Sequence, residues 1–179
     1  MRKALLVVGI LILAAPAWAG GGFSLFGSYS EIVEDAEAPG VGVRLSVGGQ
    51  NWVGDLTWTW LQKQEDVNTF DLFVDEVQVI PTDLGIRYLF NTNGSFKPYL
   101  GAGATFFYTN VNTGNAENAF GGYGMLGFNL GRGRTTFFAE GIYRFGSTDV
   151  EYRYTVDQIT SGSMDVGGWG VNVGVAWGF

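Results

Sequence analysis

Six ionisable residues are isolated within apolar, alternating stretches: Arg44, Asp55, Asp83, Arg87, Glu140 and Arg144. Paired carboxylates can exchange protons as general acid and base. Interspersed with as many arginines, they suit two other arrangements better: a paired network, or the charged lining of a narrow ion path. Histidine and cysteine are both absent. Their absence removes the Ser–His and Cys–His nucleophile systems and His- or Cys-based metal sites. The expectation is a non-enzymatic protein without cofactor or metal, and a filled, paired network is favoured over an ion path.

The elements that hold these six residues are strands. The sequence DVGGWGVNVGVAWGF at 165–179 sets Trp169, Val171, Val173, Val175, Trp177 and Phe179 at every second position, with small residues between. Successive side chains of a strand point to opposite faces, so this is a strand with one bulky face and one small face. Seven further stretches alternate in the same way: about 23–32, 40–48, 51–61, a fourth ending at Phe90, 97–110, 120–130 and 135–146. The fifth is ambiguous in phase, and Leu100, Ala102, Ala104, Phe106 and Tyr108 are assigned to its bulky face. The connections at 48–51, 91–96 and 131–134 are tight and rich in Gly or Asn, as hairpin turns require. Those at 31–39, 62–76, 111–119 and 147–164 are longer. An even number of strands, with short turns at one end and long loops at the other, describes an all-β, eight-stranded antiparallel up-and-down transmembrane β-barrel.

Charge decides which face is outside. The chain has 17 acidic and 10 basic residues. Fourteen of the acids fall in the long loops or, as Asp165 does, at the edge of one, while Lys97, Arg132 and Arg134 lie in or next to the short turns with no acid beside them. The six charges within strands all lie on the small polar face. An Arg or Lys facing lipid near the bilayer centre costs about 2–4 kcal/mol, so six outward charges would consume the roughly 5–15 kcal/mol that keeps a domain folded. The bulky face is therefore outside. A secreted soluble barrel would need the reverse, with many solvated Lys and Glu on every strand. The net charge of −7 argues against nucleic acid.

Aromatic residues collect near strand ends, where interfacial girdles place their rings: Trp52, Trp58, Trp60, Tyr88, Phe90, Tyr108 and Phe145 are expected at the lipid interface. Met1 to Ala19 has Arg2 and Lys3, an apolar run and Ala17-Trp18-Ala19. This reads as a signal peptide cleaved before Gly20, leaving 20–179 as one barrel domain. The matching GxGxxG at Gly122 to Gly127 lacks a following helix and is not a phosphate loop.

The leader, LGIRYLF at 84–90, KPYLGAG at 97–103, AEGIYRF at 139–145 and the terminal Phe179 resemble the small eight-stranded outer-membrane barrels of the OmpA, OmpX and OmpW type. The likeness spans essentially the whole chain after the leader. It implies residence in the outer membrane of a Gram-negative-type bacterium, with outer-membrane lipid and lipopolysaccharide around the wall. It also implies that Trp177 and Phe179 form a signal read by the barrel-assembly machinery. Unlike full-length OmpA, the sequence stops at the barrel, so no cell-wall tether is expected. Structural support, or contact with a surface partner through the long acidic loops, is the first functional expectation. A narrow pore, or an OmpW-like conduit for small apolar molecules, is the alternative. A two-residue turn at Gly49 and Gln50 would set Arg44 opposite Asp55, leaving Arg87 and Arg144 for Asp83 and Glu140. Alternation beyond the fourth and seventh membrane strands, at 70–81 and 150–156, predicts a sheet standing above the bilayer.

Overall fold

The computed structural model describes residues 20–33, 36–63, 77–90, 93–111, 119–155 and 158–178. Its strands are β1 (Gly21–Val33), β2 (Ala36–Gly48), β3 (Trp52–Lys63), β4 (Val77–Leu89), β5 (Phe96–Val111), β6 (Ala119–Leu130), β7 (Thr135–Thr155) and β8 (Gln158–Gly178). Each pairs antiparallel with its neighbour, and β8 returns to β1. Closure leaves no sheet edge in the ring, which matters where no water is present to satisfy free backbone groups.

The alternation of the sequence becomes inside and outside. On β1, Phe23, Leu25 and Tyr29 face out while Ser24, Phe26, Ser28 and Ser30 are buried. On β5, Leu100, Phe106 and Tyr108 are exposed and Tyr99, Thr105 and Phe107 buried, as the phase assigned from sequence requires. The interior is layered. An apolar cluster of Ala38, Leu61, Val79, Phe107, Ala119 and Val166 fills the long-loop end. A second cluster, containing Val53, Leu89, Tyr99, Tyr123, Met125 and Ile142, reaches from mid-barrel to the short-turn end. The six strand charges lie between these two levels.

Several strands run past the stretches read from sequence. β1 and β2 take in most of the expected loop at 31–39. β7 and β8 are 21 residues each and stay in register from Thr135↔Trp177 to Arg153↔Ile159, with one shift before the last pair, Thr155↔Gln158. A membrane strand needs only about 9–11 residues, so this hairpin continues well beyond the wall, as the alternation at 150–156 predicts. Alternation marks strand where one face meets lipid and the other does not; above the bilayer that contrast fades and pairing continues without the pattern. Of the stretch at 70–81, only the part from Val77 lies among the described residues. The leader at 1–19 and Phe179 lie outside them.

Candidate functional site

The interior charges are buried, from Arg44 at 1 % exposure to Arg87 at 5 %. Arg44 on β2 crosses the lumen to Glu140 on β7 and donates to both carboxylate oxygens. Glu140 also accepts from the Tyr99 hydroxyl at 2.7 Å and the Asn172 amide at 2.8 Å. The Arg44 guanidinium lies 5.6 Å and 5.3 Å from the ring centroids of Phe26 and Phe138, and its Nε donates to Thr57 at 3.1 Å. Arg144 on β7 reaches Asp83 on β4, with Nη2 at 2.7 Å and Nε at 3.1 Å. Asp83 accepts from Thr105 at 2.8 Å as well. Arg87 pairs with Asp55 on the adjacent strand, Nε to Oδ2 at 3.0 Å, and Ser46 donates to the same carboxylate at 2.6 Å. Arg87 also sits over Tyr99, 4.7 Å from its centroid. Each charge is matched by an opposite one, and the three carboxylates also accept from neutral side chains, the condition under which buried ions are tolerated.

The partners differ from those expected. Arg144 takes Asp83, one of the two acids foreseen for it. Arg44 takes Glu140 rather than Asp55, and Asp55 takes Arg87. The β2–β3 turn does have two residues, but they are Gln50 and Asn51: the Gly49 N–H donates to the Trp52 carbonyl at 2.9 Å. Moving the turn centre by one residue moves every partner by two. Arg44 therefore faces Thr57, and Asp55 faces Ser46. Both remain inside because a two-residue shift preserves the face. Pairing across the lumen depends on closure, which local spacing does not encode.

On the outer wall, Trp52, Tyr88 and Phe90 form an aromatic cluster near the short turns, tilted and edge-to-face, with centroids 4.9 Å and 5.2 Å apart. Phe23 and Trp177 stack at the same end at 6.3 Å. Trp60, Tyr108 and Phe145 are exposed on the outer wall toward the long-loop end. Trp58 stands mid-strand, half-buried between Val43 and Thr82 on the flanking strands, not at a strand end. The glycine-rich run 122–127 is ordinary β6 strand.

A feature without a counterpart in the sequence reading lies where β8 meets β1. The ladder passes from Ser30↔Gly170 to Val33↔Val166, so Glu31 and Ile32 of β1 face three residues of β8, Gly167 to Trp169. Such a bulge leaves backbone groups unpaired. Here the Glu31 carboxylate accepts the Trp169 N–H at 3.3 Å. Gly167 and Gly168 adopt φ of 115° and 142°, and a Cβ on Gly168 would stand 2.3 Å from Glu31 Oε2. Beside this break, a wall pocket of about 610 Å³ is lined by Phe120, Tyr143 and Phe145 at its outer lip and by Arg144, Val166 and Glu31 further in. Val166 belongs to the upper apolar cluster, and Gly146, also lining the pocket, packs on the Phe107 ring of that cluster. The adjacent pair Gly167-Gly168 was the available signal for this bulge.

A closed eight-stranded ring with an apolar exterior and an ion-paired interior defines a small transmembrane β-barrel. The OmpW family model matches residues 61–179. The chain belongs to the OmpW family and is an outer-membrane barrel of the Gram-negative type. Among solved structures it is similar to OprG of Pseudomonas aeruginosa, with a TM-score of 0.69 and 18 % identity over 90 % of this chain and 96 % of that one. It is similar also to AlkL, solved in lipid bilayers, with a TM-score of 0.63 and 15 % identity over 90 % of each chain. Neisserial surface protein A gives a TM-score of 0.62 and 14 % identity over 89 % of this chain and 96 % of that one. No curated protein sequence matches.

Proposed function

We propose that this barrel is a non-enzymatic, passive conduit that takes small apolar molecules from outside and releases them sideways into the outer membrane. The carrying observation is the contrast between axis and wall. The three ion pairs cross or line the lumen at mid-height, and driving an apolar solute between them means separating buried charges, at about 3–5 kcal/mol per broken pair. The wall pocket, by contrast, lies against the upper apolar cluster and opens between aromatic side chains on the lipid side. The three interior carboxylates are each bound to a guanidinium, which supports a structural rather than an acid–base role.

Ser30 and Gly170 are register partners beside the break, and a Cβ on Gly170 would lie 3.1 Å from that of Ser30. This is near the spacing a disulfide needs, about 3.5–4.5 Å, and the chain has no other cysteine. In cells, uptake of an uncharged naphthylamine dye that fluoresces inside membranes should rise severalfold on expression. It should fall to the background rate in oxidised S30C/G170C and recover with reductant. Unchanged uptake in the oxidised variant, or steady ionic conductance of the wild type in a planar bilayer, would refute the lateral route.

The long β7–β8 hairpin favours a second reading, contact with a surface partner. Removing residues 148–164 would then abolish attachment while leaving dye uptake intact.

A further inference from the structure

The short-turn end of the barrel, which faces the periplasm, holds a separate cavity. We propose that it is a binding site for one small amphiphilic anion, an oxyanion head on a compact apolar body. The cavity measures about 400 Å³ and is lined by Val53, Leu89, Arg87, Lys97, Asn129 and Thr136, with Gln50 and turn glycines at its lip. Its volume falls within the roughly 300–1,000 Å³ of small-molecule pockets, which combine apolar walls with a few converging polar groups.

The class of ligand follows from those groups. Val53 and Leu89 are buried side chains of the lower apolar cluster and give the cavity a hydrophobic wall. Lys97 and Asn129 are direct cross-strand partners on β5 and β6, and both face inward. Thr136 on β7 follows the inward phase of Phe138. Among the described residues, none of the Lys97, Asn129, Thr136 and Gln50 side chains has a hydrogen-bond partner. Arg87 at the ceiling is already neutralised by Asp55, so among the described residues that line the cavity Lys97 is the uncompensated charge. Around the mouth the short turns add Arg132 and Arg134 and no acid. A cation beside converging amide and hydroxyl donors suits an oxyanion; the Val53–Leu89 wall suits its apolar part. The ion-pair layer above limits the depth to which a molecule can enter, which is why the ligand is small.

The test uses the refolded barrel in lipid nanodiscs, with phenylacetate as probe. Phenylacetamide has the same shape without the charge, and acetate is the head alone; all three are water-soluble enough to limit partition into lipid. Backbone NMR shifts at residues 53, 89, 97, 129 and 136 should move saturably with phenylacetate. Phenylacetamide and acetate should each bind at least tenfold more weakly. K97Q should lose at least tenfold, and K97R, which keeps the charge, should retain binding. Acetate binding as tightly as phenylacetate, K97Q binding like the wild type, or shifts confined to outward-facing residues would each overturn the proposal. The site does not rest on the lateral route, and oxidised S30C/G170C should bind phenylacetate unchanged.

Discussion

Replacing Glu140 by Gln removes one charge from the centre of the lumen while keeping the side chain's shape. Arg44 would then remain as an unpaired buried cation, since its side chain and that of Glu140 are 2 % and 0 % exposed. At an effective dielectric constant near 20 and about 3 Å separation, the lost attraction is on the order of 5 kcal/mol. Breaking a buried pair by removing one partner costs about 3–5 kcal/mol in practice. Thr57 and the rings of Phe26 and Phe138 remain to solvate the guanidinium, which places the expected loss near the lower bound, about 3 kcal/mol, or roughly a hundredfold in the folding equilibrium. The check is a urea titration in lipid vesicles, followed by tryptophan fluorescence and by heat-modifiable gel mobility. The companion variant is R44M/E140Q. It buries no charge, and the amide introduced at position 140 can accept from Tyr99 through its carbonyl and donate its NH2 to Asn172 once the Asn172 amide turns to present its oxygen, so its stability should return to within about 1 kcal/mol of the wild type. If the double variant is no more stable than E140Q, the cost does not come from a stranded charge and the reasoning fails.

Gly168→Ala should destabilise the barrel by about 1–3 kcal/mol in the same titration, because its φ of 142° disfavours a Cβ that would also strike Glu31. Glu31→Gln, which still accepts from the Trp169 N–H, should titrate like the wild type. Deleting Phe179 should slow appearance of the heat-modifiable form in pulse-labelled cells, yet leave the refolded barrel's urea midpoint unchanged; an equal loss in both would make the residue structural rather than an assembly signal.

The faces of the strands were legible because alternation is a local record of which side meets lipid. Strand ends were less so: β7 and β8 continue to Thr155 and from Gln158, where that contrast no longer shapes the sequence. All six interior charges could be placed inside, but only Arg144–Asp83 was among the pairings foreseen. Arg44 and Glu140 are 96 residues apart and meet because the sheet closes and its strands stagger, a property of the whole ring. The β1–β8 break escaped notice for a related reason. Its residues keep regular register with β7, Arg144↔Gly168 and Phe145↔Gly167, and depart from it only toward β1.

The cross-lumen ion pairs also bear on how the barrel is made. Arg44 on β2 and Glu140 on β7 belong to strands far apart around the ring, as do Asp83 on β4 and Arg144 on β7. In a partly built sheet these groups have no counter-ion within reach, and the bilayer core offers no water in its place. Every open intermediate thus carries its charges as a penalty, which is relieved together when β8 reaches β1. The same residues that pair across the finished lumen thereby make insertion cooperative, favouring chains that are either unassembled or fully closed.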